Sequence, residues 1–275
     1  MTRVVTLLPA ATEIVAALGD ASVLVGISHE CDYPAHVQHL RRVTTTSIHV
    51  AAASGAIDAE VRSLRESGRA VIAVDAEEIR RLNPDVIVTQ ALCEVCAVSD
   101  GEVHRLAATL DRVPRLVSLS ASTVDGIWTD IRAVGRAIEM DDEAEELVLG
   151  LRSRLETIGN SAEPVARPRV LCIEWLDPVY LAGHWIPELV ELHPDYLIVM
   201  LCGFGIERAR AELARLEDPR ALELLHRVST WIIDGNAYTS RPGPRVVDGA
   251  ARIQSILLDA PMAGVERWET AGICS

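Results

Sequence analysis

The chain has 275 residues and a formal net charge of −14, and all its basic residues are arginines because the sequence contains no lysine. About half of the residues (49%) are apolar, which is enough for one large domain or two lobes with separate cores. The negative charge repels phosphate backbones, so nucleic acid is excluded as a partner, and no apolar run approaches the ~18 residues of a membrane span.

The first residues already belong to the predicted fold. Val4–Leu8 is predicted as a strand, and a helix pattern follows at once from Thr12. This opening lacks the basic and apolar regions of a secretory signal. We therefore expect a cytoplasmic protein whose thiols are mostly reduced.

Short β-branched runs alternate with longer amphipathic stretches along the rest of the chain. The other predicted strands are Val23–Ile27, Ala70–Val74, Asp85–Thr89, Arg115–Leu119, Arg169–Trp175, Tyr196–Leu201 and Thr230–Asp234. The predicted helices are Thr12–Leu18, Ala76–Leu82, Gly101–Leu110, Ile206–Val228 and Val246–Leu258. This alternation indicates an α/β fold with open, mostly parallel sheets.

Residues 122–160 interrupt the alternation and predict two consecutive helices. Ser122 is a suitable N-cap for the first, and Asp141 with Asp142 caps the second. A short proline-containing connector, AEPVARPR, follows. We predict an N-terminal α/β lobe over residues 1–120, a helical bridge and connector over 121–166, and a C-terminal α/β lobe over 167–275.

The loops that follow the predicted strands have an unusual composition. Six of the ten aromatic residues lie in them, although these loops cover about a fifth of the chain. Ligands bind at the carboxyl ends of the strands in open α/β sheets. Aromatic rings at these ends therefore predict a crevice for a flat or bulky organic ligand. The sequence contains no GxGxxG or GxxxxGK[ST] motif, which weakens a dinucleotide or NTP interpretation, and no GxSxG or HExxH motif. None of its carboxylates is paired at a spacing that specifies acid–base chemistry.

Six motifs across nearly the whole chain resemble one family. They are RVVTLLPAATEIVAALG, GISHECDYP, NPDVIVTQALCEVCAVS, CIEWLDPVYLAGHWIPELVE, CGFGIERA and DGNAYTSRPGPRVVDG. These motifs are similar to those of the vitamin B12-binding proteins among the substrate-binding proteins of ABC importers, whose wider family carries cobalamin, haem, siderophores and metal ions. The chain resembles a leaderless subgroup of that family.

The resemblance implies two Rossmann-like α/β lobes joined by a single long bridging helix, with the ligand held in a cleft between the lobes. It implies a non-catalytic binding protein, and not an enzyme, with cobalamin or a related tetrapyrrole as the ligand and an ABC transporter as a partner. It also implies a trimmed C-terminal lobe, because relatives carry an extra strand and helix near Glu191.

The strand-end loops supply the residues that we predict to bind this ligand. They are Pro9, Thr12, His29, Tyr33, Cys93, Glu94, Trp175, Asp177, Tyr180, His184, Trp185, Cys202, Gly203, Phe204, Asn236, Tyr238, Arg241 and Arg245. Among them, the rings of Trp175, Trp185, Phe204 and Tyr238 are candidates for stacking on the ligand. The guanidinium groups of Arg241 and Arg245 suit peripheral amides or carboxylates.

Cys93 and Cys96 form a CxxC pair after a predicted strand, and their role stays open. They can line the pocket, form a redox pair or disulfide, or contribute to a metal site. With His29 and Cys31 they make a candidate four-ligand set for zinc or an iron–sulfur cluster. The alternative hypothesis is therefore a cytosolic thiolate-ligated metal or iron–sulfur protein with a possible enzymatic role. His29 and His184 are also candidates for axial ligands of a corrinoid or haem metal.

Overall fold

The computed structural model describes residues 2–91, 98, 100–161, 168–183 and 195–269. In this part of the chain the strands are β1 Val4–Thr6, β2 Leu24–Ile27, β3 Arg41–Arg42, β4 Thr44–Thr46, β5 Ile72–Val74, β6 Val86–Gln90, β7 Arg115–Leu119, β8 Val170–Leu176, β9 Val179–Leu181, β10 Tyr196–Val199, β11 Ser229–Ile233 and β12 Val265–Arg267. The helices are α1 Pro9–Ala17, α2 Ser54–Glu66, α3 Ala76–Leu82, α4 Asp100–Ala107, α5 Val124–Ala137, α6 Asp141–Ser161, α7 Ile206–Leu213, α8 Pro219–Arg227, α9 Gly235–Tyr238 and α10 Val246–Leu257. Two 3₁₀ turns occur at Ala21–Val23 and Ala35–Val37.

The chain folds into two compact units. The first unit contains Met1–Ala51 and Ala59–Arg152, and the second contains Ala52–Asp58 and Ser153–Ser275. The three unit boundaries therefore fall after Ala51, just before α2, after Asp58 within α2, and after Arg152 within α6.

The first unit is built on a five-stranded parallel sheet in the order β3-β2-β1-β6-β7. Val5 and Ile87 are opposed on β1 and β6, and both are completely buried. They belong to a core that also includes Ile79 of α3 and Val103 of α4. The continuous apolar runs of these strands are explained by this burial, because helices cover a parallel sheet.

The second unit contains a mixed five-stranded sheet in the order β12-β11-β10-β8-β9. The central strands β8, β10 and β11 are parallel, whereas β9 and β12 pair antiparallel at the two edges. Leu197, Ile198 and Ile232 of the central strands are buried. Both units thus have the predicted α/β architecture with central parallel strands.

The eight predicted strands are confirmed, with shifts of a few residues at their ends. The prediction of two helices within residues 122–160 is also confirmed. The N-cap of the first of these helices differs from the prediction. Thr123, and not Ser122, occupies the cap, and its hydroxyl accepts a hydrogen bond from the Gly126 N–H at 3.0 Å.

The prediction of one helix over Ile206–Val228 was wrong, because α7 and α8 are separate helices. Pro219 is the reason: it disfavours helical backbone at the residue before it and suits the first position of a new helix. Asp218 accordingly caps α8, accepting a hydrogen bond from the Ala221 N–H at 3.3 Å.

Helix α2 and the short strands β3, β4, β9 and β12 were not predicted. Ile57 and Leu64 of α2 are buried. Leu64 belongs to the core of the first unit, and Val61 packs against that core. Ile57, Val61 and Leu64 recur at helical spacing, but small and charged residues lie between them, and the helix was therefore missed in the sequence. None of the helices in the described part of the chain is both long and apolar enough to span a bilayer.

Candidate functional site

In the first unit, polar side chains gather where β1 and β2 end. The Thr12 hydroxyl lies 2.6 Å from that of Thr6 and 3.0 Å from the Cys31 sulfur. All three residues are buried, with Cys31 only 1% exposed. These contacts connect β1 and α1 to the loop after β2. They also place the Cys31 sulfur inside the unit.

His29 follows β2 and is half-buried. Its backbone N–H donates to the Thr44 hydroxyl at 2.9 Å, and its Nδ1 lies 2.7 Å from the same oxygen. Thr44 is buried and donates in turn to the Ser28 hydroxyl at 3.2 Å. Burial, with a smaller contribution from the nearby Arg42 charge, lowers the pKa of His29. The imidazole is therefore held neutral at pH 7.

Arg42 fixes the backbone of the loop that carries His29. Its Nη1 donates to the Ser28 carbonyl at 2.9 Å and to the Cys31 carbonyl at 2.6 Å. These two carbonyls flank residues 29 and 30, so one guanidinium holds the loop on both sides of the imidazole.

In the second unit, Trp175 and Phe204 form an edge-to-face pair with ring centroids 5.3 Å apart. The Trp175 Nε1 donates to the Asp177 carbonyl at 3.0 Å. On Phe204, the Arg208 guanidinium carbon lies 3.6 Å from the ring centroid. Phe204 is 3% exposed, whereas Trp175 is half-buried. Phe204 therefore supports Trp175, and it is Trp175 that offers ring surface.

A second part of this cluster contacts the segment Ala52–Asp58. The Tyr180 hydroxyl donates to Asp58 Oδ1 at 3.0 Å, and Arg208 donates to the Ala52 carbonyl at 3.0 Å. The Asp177 carboxylate packs so closely on Gly55 that a methyl group there would overlap it. A carboxylate in this position also interacts favourably with the positive end of the helix dipole at the N-terminus of α2.

Glu212 completes the contacts of this segment. Its Oε2 accepts a hydrogen bond from the Ser54 N–H at 2.9 Å, and its Oε1 lies 2.6 Å from Arg215 Nη1. Burial alone raises the pKa of Glu212, but the Ser54 hydrogen bonds and the Arg215 charge outweigh it, so the pKa is lowered overall. Glu212 is therefore ionised. Its side chain caps the N-terminus of α2, and the residue is 5% exposed.

The loops after β10 and β11 meet in the second unit. The Asn236 N–H donates to the Phe204 carbonyl at 3.2 Å, and Gly235 packs so tightly on the Leu201 carbonyl that no Cβ would fit. Arg241 is 6% exposed, and its Nη2 donates to Asn236 Oδ1 at 2.8 Å. Arg245 is half-buried at the start of α10. Of the two arginines, Arg245 is thus the more accessible to a ligand.

Tyr238 stacks within its own unit. The guanidinium carbon of Arg252 lies 3.5 Å from the Tyr238 ring centroid. Gly264 has φ +84°, and a Cβ there would collide with the same ring. The half-buried Tyr238 ring therefore has Arg252 on it and the Gly264 backbone close by.

The two described cysteines of the second unit differ in environment. Cys172 is 4% exposed, and burial raises the pKa of its thiol to about 12. Cys202 is exposed, and its N–H donates to the Glu174 carbonyl at 2.9 Å. The next residue, Gly203, has φ +73° and donates to the Ser240 hydroxyl at 3.2 Å. This left-handed backbone explains the glycine.

The remaining predicted residues divide into two groups. Pro9 is the first residue of α1, and Tyr33 is 47% exposed. Cys93, Glu94, Cys96, His184 and Trp185 lie outside the described residues. Within the described ranges, no three His, Cys, Asp or Glu side chains are grouped to hold a metal ion. The thiolate hypothesis thus stays a prediction that rests on Cys93 and Cys96.

Sequence reasoning missed the contribution of Ala52–Asp58, Arg208 and Glu212 to this region. The helical spacing of Ile57, Val61 and Leu64 was the available signal for α2. Nothing in the sequence indicates that Glu212 caps Ser54, because the two residues are 158 positions apart.

Comparison with known proteins gives a likeness at the level of structure. No family model and no curated protein matches the sequence. A periplasmic heme-binding protein from Pseudomonas aeruginosa superposes with a TM-score of 0.70 at 18% identity, covering 98% of each chain. A periplasmic vitamin B12-binding protein from Vibrio cholerae gives 0.63 at 19% identity, covering 94% of this chain and 97% of its own.

A third similar structure is a possible iron-binding, periplasmic solute-binding protein from Staphylococcus epidermidis. Its TM-score is 0.67 at 20% identity, with 93% of this chain and 98% of the other covered. The likeness therefore extends over nearly the whole chain. At these identities it shows the fold, which this chain shares with periplasmic substrate-binding proteins.

Proposed function

We propose that this protein is a non-catalytic binding protein for a tetrapyrrole-type ligand such as cobalamin or haem. The observation that carries the proposal is the likeness over nearly the full length to solved heme- and vitamin B12-binding proteins. Fold likeness alone leaves many functions open. The chemistry of the strand-end residues supports the same ligand class.

Accessible aromatic surface in the second unit suits a flat macrocycle. Trp175 keeps part of its ring exposed while Phe204 and the Asp177 carbonyl fix its orientation. Tyr180 is 44% exposed beside it in the β8–β9 hairpin. Rings that are already held in place lose little entropy on binding, so burial of their apolar area contributes to affinity.

A titration with cyanocobalamin and with haemin tests the proposal. We expect saturable changes in the visible spectrum and heat in calorimetry for at least one ligand. Trp175→Ala should weaken that binding about 10-fold, since losing an aromatic anchor typically costs more than 1 kcal/mol. Val113→Ala is the matched control, because Val113 is 70% exposed in the first unit. The proposal would be rejected if neither ligand gave a signal at tens of micromolar.

The cytoplasmic location and the transporter partner are further parts of this proposal. Cell fractionation with an antibody against the native protein tests the location. Co-purification of the native protein with an ABC transporter from detergent-solubilised membranes tests the partner. Enrichment in the soluble cytoplasmic fraction supports the first, and recovery with a membrane complex supports the second.

A further inference from the structure

We propose that the segment Ala52–Asp58 is autoinhibitory. While it is docked on the rest of the second unit, it excludes a macrocycle from the ring of Trp175, and it must leave before the ligand binds. This role rests on the proposed function, because it concerns the same aromatic surface. Weakening the contacts of the segment should therefore tighten ligand binding, whereas weakening a wall of the binding site would loosen it.

The segment engages the residues that surround the exposed ring surface. The Tyr180 hydroxyl donates to Asp58 Oδ1 at 3.0 Å, and the Asp177 carboxylate packs against Gly55. The Asp177 carbonyl also accepts the hydrogen bond of Trp175 Nε1 at 3.0 Å. A tetrapyrrole macrocycle is much wider than one indole ring. A ligand stacked on Trp175 therefore reaches Asp177 and Tyr180, where the segment already lies.

Polar contacts are the main attachment of the segment. Its sequence, AASGAID, has a single large apolar residue, Ile57, which is 8% exposed. The Ser54 N–H donates to Glu212 at 2.9 Å, and the Ala52 carbonyl accepts from Arg208 at 3.0 Å. Segments that bury little apolar surface open locally at a lower free energy than the core. The docked segment can therefore leave without unfolding the second unit.

Release leaves each buried charge with another partner. Glu212 keeps its contact with Arg215 Nη1 at 2.6 Å, and Arg208 keeps its guanidinium carbon 3.6 Å from the Phe204 ring centroid. The Tyr180 side chain is on a residue that is 44% exposed, so water can replace its hydrogen bond. An uncompensated buried charge would have made release costly. A ligand that binds only the released state shifts the equilibrium toward it.

Gly55 and Asp177 allow a covalent test. A Cβ placed on Gly55 lies 3.5 Å from the Asp177 Cβ, a separation that suits a disulfide. Gly55→Cys combined with Asp177→Cys should therefore form a disulfide that holds the segment in place, which mass spectrometry detects. The oxidised double variant should bind haemin and cyanocobalamin at least about 10-fold more weakly than the same variant after reduction and desalting, because the apparent affinity scales with the fraction of binding-competent molecules.

The comparison is made within one variant, so loss of the Asp177 carboxylate affects both forms equally. Wild type and the single Gly55→Cys variant, taken through the same oxidation and reduction, control for the native cysteines and for the added thiol. Their affinities should not depend on the treatment.

Two substitutions weaken the docked state without a disulfide. Asp58→Ala removes a hydrogen-bond acceptor, and Gly55→Ala places a methyl group against the Asp177 carboxylate. Each should tighten macrocycle binding about 3- to 10-fold, which corresponds to one net hydrogen bond lost from the docked state. Glu66→Ala is the control for charge, because Glu66 is exposed at the end of the same helix. Gly150→Ala is the control for the glycine, because it has open space around it.

Hydrogen exchange followed by mass spectrometry locates the release. Saturating haemin or cyanocobalamin should speed amide exchange at residues 54–58, although a bound ligand ordinarily stabilises the structure that it contacts. The helix Val246–Leu257 of the same unit is the internal reference and should not become faster.

The outcomes separate the two proposals. Equal affinity of the oxidised and reduced double variant, or slower exchange at residues 54–58 with ligand, would overturn the autoinhibitory role and leave the proposed function intact. Failure of the two introduced cysteines to join on oxidation would also overturn it, because docking places them in contact. Failure of the wild-type protein to bind either haemin or cyanocobalamin would overturn both proposals.

Discussion

Glu212 caps the backbone of Ser54, although 158 positions separate them in the sequence. The carboxylate is 5% exposed and also pairs with Arg215. It therefore ties the start of α2 to α7, within the second unit. An N-terminal cap supplied from so far along the chain makes this part of α2 dependent on tertiary structure.

Removing this carboxylate should destabilise the protein. We expect Glu212→Ala to lower the free energy of unfolding by about 1–3 kcal/mol, because the buried Ser54 N–H is left without its acceptor. Urea denaturation measures the change, and hydrogen exchange should show faster opening at residues 54–58. Glu223→Ala is the control, since its pair with Arg227 is exposed and is worth less than about 1 kcal/mol. Equal effects of the two substitutions would contradict this role of Glu212.

The stability supplied by Glu212 should depend on pH in a defined direction. Its folded-state pKa is lowered below the ordinary value of 4.5, so the contribution is present above about pH 4.5 and is lost as pH falls through the folded pKa. The difference in unfolding free energy between wild type and Glu212→Gln should therefore be constant near neutrality and shrink in acid. A difference that grows as the pH falls would show the opposite shift.

Asp130 should show the reverse dependence. Burial raises its pKa, while hydrogen bonds from the Ala121 and Ser120 N–H groups oppose the shift. The contribution of Asp130 is therefore fully present below its ordinary value of 3.8 and is lost as pH rises through the folded pKa. Asp130→Asn keeps an acceptor oxygen but cannot ionise. It should be more stable than wild type in thermal unfolding at pH 7, and the gain should vanish near pH 3.

Two glycines should respond oppositely to alanine. Gly235 faces the Leu201 backbone carbonyl with no room for a Cβ, so Gly235→Ala should cost about 1–3 kcal/mol through overpacking. Gly150 lies within α6 with open space around it, and Gly150→Ala should add ~1 kcal/mol from helix propensity. Thermal and urea unfolding measure both. If Gly235→Ala left the free energy of unfolding unchanged, it would show that the loops after β10 and β11 separate readily.

The central strands could be predicted from sequence because parallel strands are apolar on both faces. Val86–Gln90 and Tyr196–Val199 are examples whose burial follows this rule. Edge strands lack the signal: Val179–Leu181 has three residues, all exposed. The break between the two helices before Pro219 is caused by the proline itself. It was missed because an amphipathic pattern is present on both sides of it.

The candidate site was predictable in part. The strand-end rule led to Trp175, Phe204 and His29, because it depends on topology alone. It did not separate exposed rings from supporting ones, so Phe204 at 3% exposure was grouped with Trp175. The roles of Thr44 and Glu212 depend on contacts between distant segments, which a single sequence does not encode in any local pattern.

The different surroundings of Cys172 and Cys202 allow selective labelling of one of these two cysteines in the second unit. Maleimide reagents attack the thiolate of an accessible cysteine, and Cys172, with its thiol pKa of about 12, stays protonated and shielded. Of these two, the solvent-facing Cys202 is the one that takes up a dye. A fluorophore on Cys202 lies two residues from Phe204, where its emission can report directly on ligand binding.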